Sequence, residues 1–230
     1  MICTYRLQTT HYKLNMNPSI EKLVSWIRTA AAGAHGLLVP ISGGSDSALC
    51  FWLCRQALPG KVIGVHAGRE LRALAWFERL GRVEMIETPG RHEEREEMRW
   101  ARFLAINLER GYWLAGSRNH TEDLLGTYSL ASRVATFLPL VNVWKSEVLV
   151  LGREIGVPDE ILASSLRADP DCGRPAELAE IPITKVEAFL LARERGTVAA
   201  DLTSAQAAYL DTICRRNAFK QSLPQWGPEI

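Results

Sequence analysis

The sequence predicts an α/β protein built on a mostly parallel sheet with helices on both faces. Short apolar runs alternate with segments of helical period along the first two thirds of the chain, and the first run stops abruptly at Ser42-Gly43-Gly44 before a helical pattern resumes. Strands separated by helices of this length imply crossover connections and parallel pairing. With 230 residues, 47% of them hydrophobic and 23% charged, the chain can bury a sizeable core as one globular domain spanning 1–230.

Taken in order, residues 19–32 carry Ile20, Leu23, Val24, Ile27 and Ala31 at helical spacing, after an Asn17-Pro18-Ser19 start signal. Residues 36–41 read as the first strand. Ala48, Leu49, Trp52, Leu53 and Ala57 then mark a helix that Pro59-Gly60 ends. The alternation repeats as a strand at 61–66, a helix at 70–80 and a strand at 82–87. A long helix follows at 93–110, then a strand at 112–115, a short helix at 122–130, a strand at 137–141 and a helix at 145–155. The pattern changes from Pro158 onward. Residues 164–182, rich in Pro, Asp, Gly and Arg, form a connection long enough to suggest function or disorder. Helices at 184–195 and 204–220 complete a C-terminal helical appendage of about 184–222, and residues 223–228 form a turn-rich tail.

Composition excludes several classes. No apolar run approaches the roughly 18 residues of a spanning helix, and the N-terminus lacks the basic-then-apolar layout of a secretory signal, so a cytoplasmic protein without membrane contact is expected. A formal net charge of +1 offers no electrostatic case for nucleic acid. Five scattered cysteines indicate neither a disulfide framework nor a zinc site, and Cys50 and Cys54 read as buried thiols on one helix face.

The chemistry concentrates at Ser42-Gly43-Gly44-Ser45-Asp46-Ser47. In an open parallel sheet, ligands bind beyond the carboxyl ends of the strands, where a loop feeds a helix N-terminus. Gly43 and Gly44 permit backbone conformations that let several N–H groups converge on an anion, and the helix dipole adds positive potential. The hydroxyls of Ser42, Ser45 and Ser47 suit phosphate oxygens, while Asp46 suits a Mg²⁺ bridging to them. A plain capped turn is the alternative, but three hydroxyls, two glycines and an acid exceed what a cap requires. No Walker loop occurs.

The Ser-Gly-Gly-x-Asp-Ser loop resembles that of the N-type ATP pyrophosphatases of the PP-loop superfamily. Gly116-Ser117-Arg118-Asn119-His120-Thr121-Glu122 followed by Gly126, then Pro139-Leu140-Val141-Asn142-Val143-Trp144-Lys145, then Leu151-Gly152-Arg153-Glu154-Ile155-Gly156-Val157-Pro158, are similar in order to segments of the ammonia-dependent NAD synthetases. The resemblance implies an adenine nucleotide alpha hydrolase-like, Rossmann-like three-layer fold that binds ATP. It implies that Asp46 and Glu122 hold Mg²⁺, that Ser42, Gly43, Gly44, Ser45 and Ser47 hold pyrophosphate, and that Ser117 and Lys145 contact ATP, with Lys145 and Asp46 serving catalysis. Lys145 also reads as a solvated lysine at a helix start, and Glu122 as an ordinary first-turn carboxylate. The implied reaction adenylates a small-molecule carboxylate, deamido-NAD in the family, and then amidates it with ammonia supplied free or by a separate chain; a homodimer is also implied.

Departures fall mainly on the acceptor side. The family's Gly-Asp-Gly-Gly is replaced by Ser132-Arg133-Val134-Ala135, its Arg-x-Arg-Met by Arg95-Glu96-Glu97-Met98, and its Lys-x-Pro-[ST]-Ala-Asp by Ser164-Ser165-Leu166-Arg167-Ala168-Asp169, where Arg167 reads equally as a replacement for the lost cation at the phosphates and as a surface arginine. These changes leave open an acceptor other than deamido-NAD, such as a compact acid paired with Arg133, and a catalytically inactive ATP-binding partner or sensor. Arg133 facing solvent is the plainer expectation.

Overall fold

A computed structural model describes residues 17–87, 96–165, 167, 175–197, 201–224 and 227. Helix α1 (Pro18–Ala30) opens with the Asn17 side chain accepting from the Ser19 N–H and buries Ile20, Val24 and Ile27. Strand β1 (Leu37–Pro40) feeds the loop, and helix α2 (Ser45–Ala57) leaves it. Next come β2 (Val62–Ala67), α3 (Leu74–Leu80), β3 (Val83–Ile86), α4 (Glu96–Arg110) and β4 (Trp113–Leu114). Among the described residues the strands form one parallel sheet in the order β3-β2-β1-β4.

Alternate residues of β1 point to opposite faces. Leu37 and Val39 pack with α1 and α2 through Ile27, Leu49 and Phe51. Leu38 instead joins Ile63, Val65 and Leu114 against Phe103 of α4. Both faces are therefore covered, which explains why β1 reads as a continuous apolar run. Cys50 and Cys54 are buried free thiols on α2, as expected.

After β4 the chain forms α5 (His120–Leu125), a 3-10 turn (Leu130–Val134), α6 (Lys145–Glu154), α7 (Asp159–Ser164), α8 (Ala176–Ala179), α9 (Ile183–Arg195) and α10 (Ser204–Asn217), and a second 3-10 turn (Ala218–Ser222). The C-terminal helices bury Leu178, Ile181, Val186, Leu190, Leu210 and Cys214 against Leu125 of α5, so the appendage is built directly on that helix.

Several boundaries differ from expectation. The strand expected at 137–141 is a single parallel bridge between Ala115 and Phe137, followed by a turn at 139–142. Pro139 has no N–H for a ladder, and the chain closes on itself through Val143 N–H to Leu140 O at 2.9 Å. The helix expected at 70–80 begins at Leu74, because Ala73 adopts a left-handed conformation with φ 53°. The helix expected at 122–130 starts earlier, at His120, and stops at Gly126. The start of the helix expected at 93–110 lies outside the described residues, as does most of 164–174; α8 falls within the long connection expected at 164–182.

Gly126 terminates α5 with φ 65°, and a β-carbon added there would lie 2.4 Å from Asn217 Cβ. Backbone strain and the clash with α10 act together. Gly126→Ala is expected to lower the unfolding free energy by about 2–4 kcal/mol. Denaturant unfolding measures this, and a loss below about 0.5 kcal/mol would contradict the packing described.

Candidate functional site

The loop 42–47 sits at the carboxyl end of β1. Gly43 holds φ 84°, a conformation that favours glycine. The loop is closed by its own hydroxyls: Ser42 N–H donates to Ser47 Oγ at 3.2 Å, Ser47 Oγ donates to Gly44 O at 3.0 Å, and Gly44 N–H donates to Ser42 Oγ at 3.3 Å. Ser45 and Ser47 are buried, and Ser45 N–H donates to Ser165 Oγ at 3.1 Å, tying the loop to the end of α7.

Two further segments converge on Asp46. Asn119, at the end of the stretch after β4, donates from Nδ2 to Asp46 Oδ1 at 2.8 Å while its Oδ1 caps α5 by accepting from Glu122 N–H at 2.9 Å. Lys145, the first residue of α6, extends its ammonium to Ser45 Oγ at 2.9 Å and into an ion pair with Asp46. Its side chain is only 8% exposed, which rules out the solvated helix-start reading. Sequence spacing could not show this, since Asp46 and Lys145 are separated by 99 positions.

The backbone of Lys145 is anchored in turn. Its N–H donates to Thr121 Oγ1 at 3.0 Å, and Thr121 Oγ1 donates to Glu187 Oε1 at 2.9 Å. Glu187, from α9, also accepts from Ser146 N–H at 2.9 Å and Ser146 Oγ at 2.5 Å. One appendage carboxylate thus joins the starts of α5 and α6, which carry Glu122 and Lys145. His120 and Trp144 pack edge to face at 4.4 Å across the same junction.

Glu122 is half-buried, and its carboxyl is pushed up from 4.5 to about 7. Burial is the largest cause and the Asp46 charge the next; Lys145, the backbone hydrogen bond at Asn119 and Arg118 pull the other way. Two carboxylates that repel one another beside a phosphate-type loop suit an oxygen-seeking cation.

A cavity of about 490 Å³ runs from this loop across the ends of the strands, a volume within the usual range for small-molecule sites. Ser42, Gly43, Gly44, Asp46, Ser117, Glu122, Lys145 and Arg167 all line it. Ser45 and Ser47 lie beneath, as buried supports. Arg167 is exposed at the rim. Arg95 and the side chain of Glu97 lie outside the described residues.

The acceptor-side expectation for Arg133 is corrected. Its exposed guanidinium donates to Lys220 O at 2.8 Å and Leu223 O at 2.5 Å, and it does not line the cavity. Lys220 returns the contact, donating from Nζ to Gly126 O and Tyr128 O, each at 2.7 Å, while Tyr128 OH donates to Lys220 O at 2.8 Å. The changed segment is therefore strapped to the C-terminal 3-10 turn. The cavity receives Ser129, Ser132 and the Tyr128 ring from it instead. Sequence reasoning gave no site role to Glu187, Ser165 or Arg118; a lone glutamate inside a helical pattern carries no signal of the two helix starts it joins.

A Ser-Gly-Gly loop at the carboxyl end of a parallel strand, with lysine and asparagine bonded to its aspartate and a second carboxylate lining the same cavity, marks a Rossmann-like PP-loop fold. Solved structures share it. An NH3-dependent NAD synthetase from Campylobacter jejuni superposes with a TM-score of 0.73 at 20% identity, covering 91% of this chain and 98% of that one. An NMN synthetase from Francisella tularensis superposes at 0.75 and 20% identity, covering 92% and 98%. In sequence, the chain is 26% identical to an NH3-dependent NAD synthetase of Carboxydothermus hydrogenoformans over 93% of its length and 98% of the relative's, and 29% identical to one of Methanosarcina acetivorans over 89% and 95%. No family model matches the chain. Over nearly its whole length the chain is thus similar, at low identity, to NH3-dependent NAD synthetases.

Proposed function

We propose that the protein is an ATP-dependent amide ligase that converts deamido-NAD, ATP and ammonia into NAD, AMP and pyrophosphate. The carrying observation is the convergence of Lys145, Asn119 and Ser165 on Ser45 and Asp46 of the loop, at the head of the cavity. The acceptor carboxylate attacks the α-phosphorus of ATP and pyrophosphate leaves; ammonia then attacks the acyl carbon, AMP departs, and the nitrogen gives up a proton. Negative charge grows on the oxygen bridging to the leaving pyrophosphate. The Lys145 ammonium and the loop N–H groups, already oriented, offset it. Their internal bonds to Ser165 and Ser42 are the ones a phosphate oxygen would take over.

Asp46 and Glu122 are the residues that would hold Mg²⁺, which would neutralise the phosphates. Their mutual repulsion is the feature that fits a cation. It also sets a pH dependence. The folded protein holds the Glu122 proton more tightly than the unfolded chain, so this group's contribution to stability is complete below about 4.5 and is lost as pH rises through about 7. Without Mg²⁺, the Tm of wild type relative to Glu122→Gln is expected to fall between pH 5.5 and 8, and Mg²⁺ with ATP to raise the wild-type Tm more at pH 8 than at 6. Thermal melts of the two proteins that run parallel across that range would contradict this.

We infer a homodimer and a cytoplasmic setting. Met98 and Leu108 of α4 and Leu130 and Val134 of the adjoining turn are exposed apolar side chains that support self-association. Among the described residues no helix is long and apolar enough to cross a membrane. The reading is tested by incubating the protein with ATP, Mg²⁺, ammonium and nicotinate adenine dinucleotide. NAD, AMP and pyrophosphate in equal amounts are expected; turnover only with a smaller acid would move the substrate, and none with any acid would favour a sensor.

A further inference from the structure

We propose that Arg118 is the specificity residue that receives the acceptor's reacting carboxylate, an inference that rests on the amide-ligase reading and assigns its anion subsite. An acid approaching the phosphates of ATP meets strong repulsion and needs a cation on its own side of the cavity. Lys145 is engaged with Ser45 and Asp46 at the phosphate end. Arg72 flanks Gly43, and Arg167 follows Ser165, which bonds to Ser45, so both belong to that end as well. Arg118 faces the other way: its neighbour Asn119 bonds Asp46, while its own guanidinium lies over the Tyr128 ring at 3.9 Å, along the wall that Ser129 and Ser132 continue.

The local chemistry of Arg118 is unfinished. Its side chain is 11% exposed, and its Nε and Nη1 are buried without a hydrogen-bond partner among the described residues. Asp123 Oδ1 lies 3.3 Å from Nε and offsets charge, without the geometry of a hydrogen bond. Buried guanidinium nitrogens left so are costly, and such groups call for an anion. A carboxylate at the Nη1 and Nη2 end of the guanidinium accepts two parallel N–H bonds using one lone pair on each oxygen, which leaves a second lone pair for attack on phosphorus. The Tyr128 ring fixes the plane of the fork, and the strap from Lys220 fixes Tyr128. Arg118 thereby distinguishes a carboxylate from the neutral amide product, which cannot accept two such bonds and is released.

The test compares wild type, Arg118→Ala and Arg118→Lys by steady-state kinetics with nicotinate adenine dinucleotide and by equilibrium binding of that acid, of NAD and of ATP. For Arg118→Ala the KM for the acid is expected to rise about ten- to a hundredfold, with the preference for acid over amide lost, ATP affinity within about twofold of wild type, and partial recovery on adding guanidinium ion. Arg118→Lys should recover charge but not the fork, and fall between. Wild-type turnover with unchanged acid preference in Arg118→Ala would overturn this inference alone, as would an equal loss of ATP binding. A wild type that neither binds nor turns over the dinucleotide would overturn the amide-ligase assignment for that substrate, and this subsite with it.

Discussion

Lys145→Ala is expected to lower pyrophosphate release by about a thousandfold or more, at the upper end of what one preorganised electrostatic donor contributes. The ammonium bridges Ser45 Oγ and the Asp46 carboxylate from a site 8% exposed, so its removal also takes away a charge that offsets the repulsion between Asp46 and Glu122. Glu122 loses the charge that pulls its carboxyl down and moves further up. Breaking a buried pair from one side costs about 3–5 kcal/mol. The partial exposure of Asp46, 16%, puts this case near or below the lower end. Lys145→Arg keeps the charge, but the larger fork has no room between Ser45 and Asp46 and should recover little. The kcat of each variant, with folding checked by thermal melts, measures this; a folded Lys145→Ala within tenfold of wild type would contradict the role.

The second large effect is expected from the carboxylates. Asp46→Asn and Glu122→Gln should each reduce Mg²⁺-dependent turnover by about a hundredfold or more, since a hard cation loses a charged oxygen ligand. Their effects on the fold should differ. Asp46→Asn removes the counter-charge of Lys145 and should lower the Tm, whereas Glu122→Gln removes a repelling charge and should leave the Tm at pH 8 unchanged or raised. Raising Mg²⁺ should restore part of the rate in both. Full turnover in either variant at low Mg²⁺ would show that the carboxylate in question does not hold the metal.

The sheet and the loop were legible because their signals are local. An apolar run ending in Ser-Gly-Gly before a helical period leaves few alternatives, and β1, the loop and α2 follow it closely. The strand expected at 137–141 fails where Pro139 interrupts pairing, and the late start of α3 follows from one left-handed residue, Ala73, whose conformation no side-chain pattern announces. In the candidate site, motif order points to the loop residues, Glu122 and Lys145, and Asp46, Glu122 and Lys145 line one cavity. Motif order misses Glu187, because the work of that residue is done across 41 positions of chain at Ser146 and 66 at Thr121. Arg133 and Arg118 illustrate the same limit. Both are single arginines near the acceptor segment, and only the packing of α10 and its following turn shows that one grips the C-terminal turn while the other turns to the cavity.

The central claim is that the loop 42–47 directs cleavage of ATP between the α and β phosphates by an acceptor carboxylate. The most direct measurement is exchange of labelled pyrophosphate into ATP, with Mg²⁺ and nicotinate adenine dinucleotide present and ammonia absent. The account predicts exchange that depends on the acid, is lost in Lys145→Ala, and stops accumulating label in ATP when ammonium draws the acyl-adenylate forward to the amide. Acid-dependent formation of ADP and inorganic phosphate, with no label entering ATP, would contradict it.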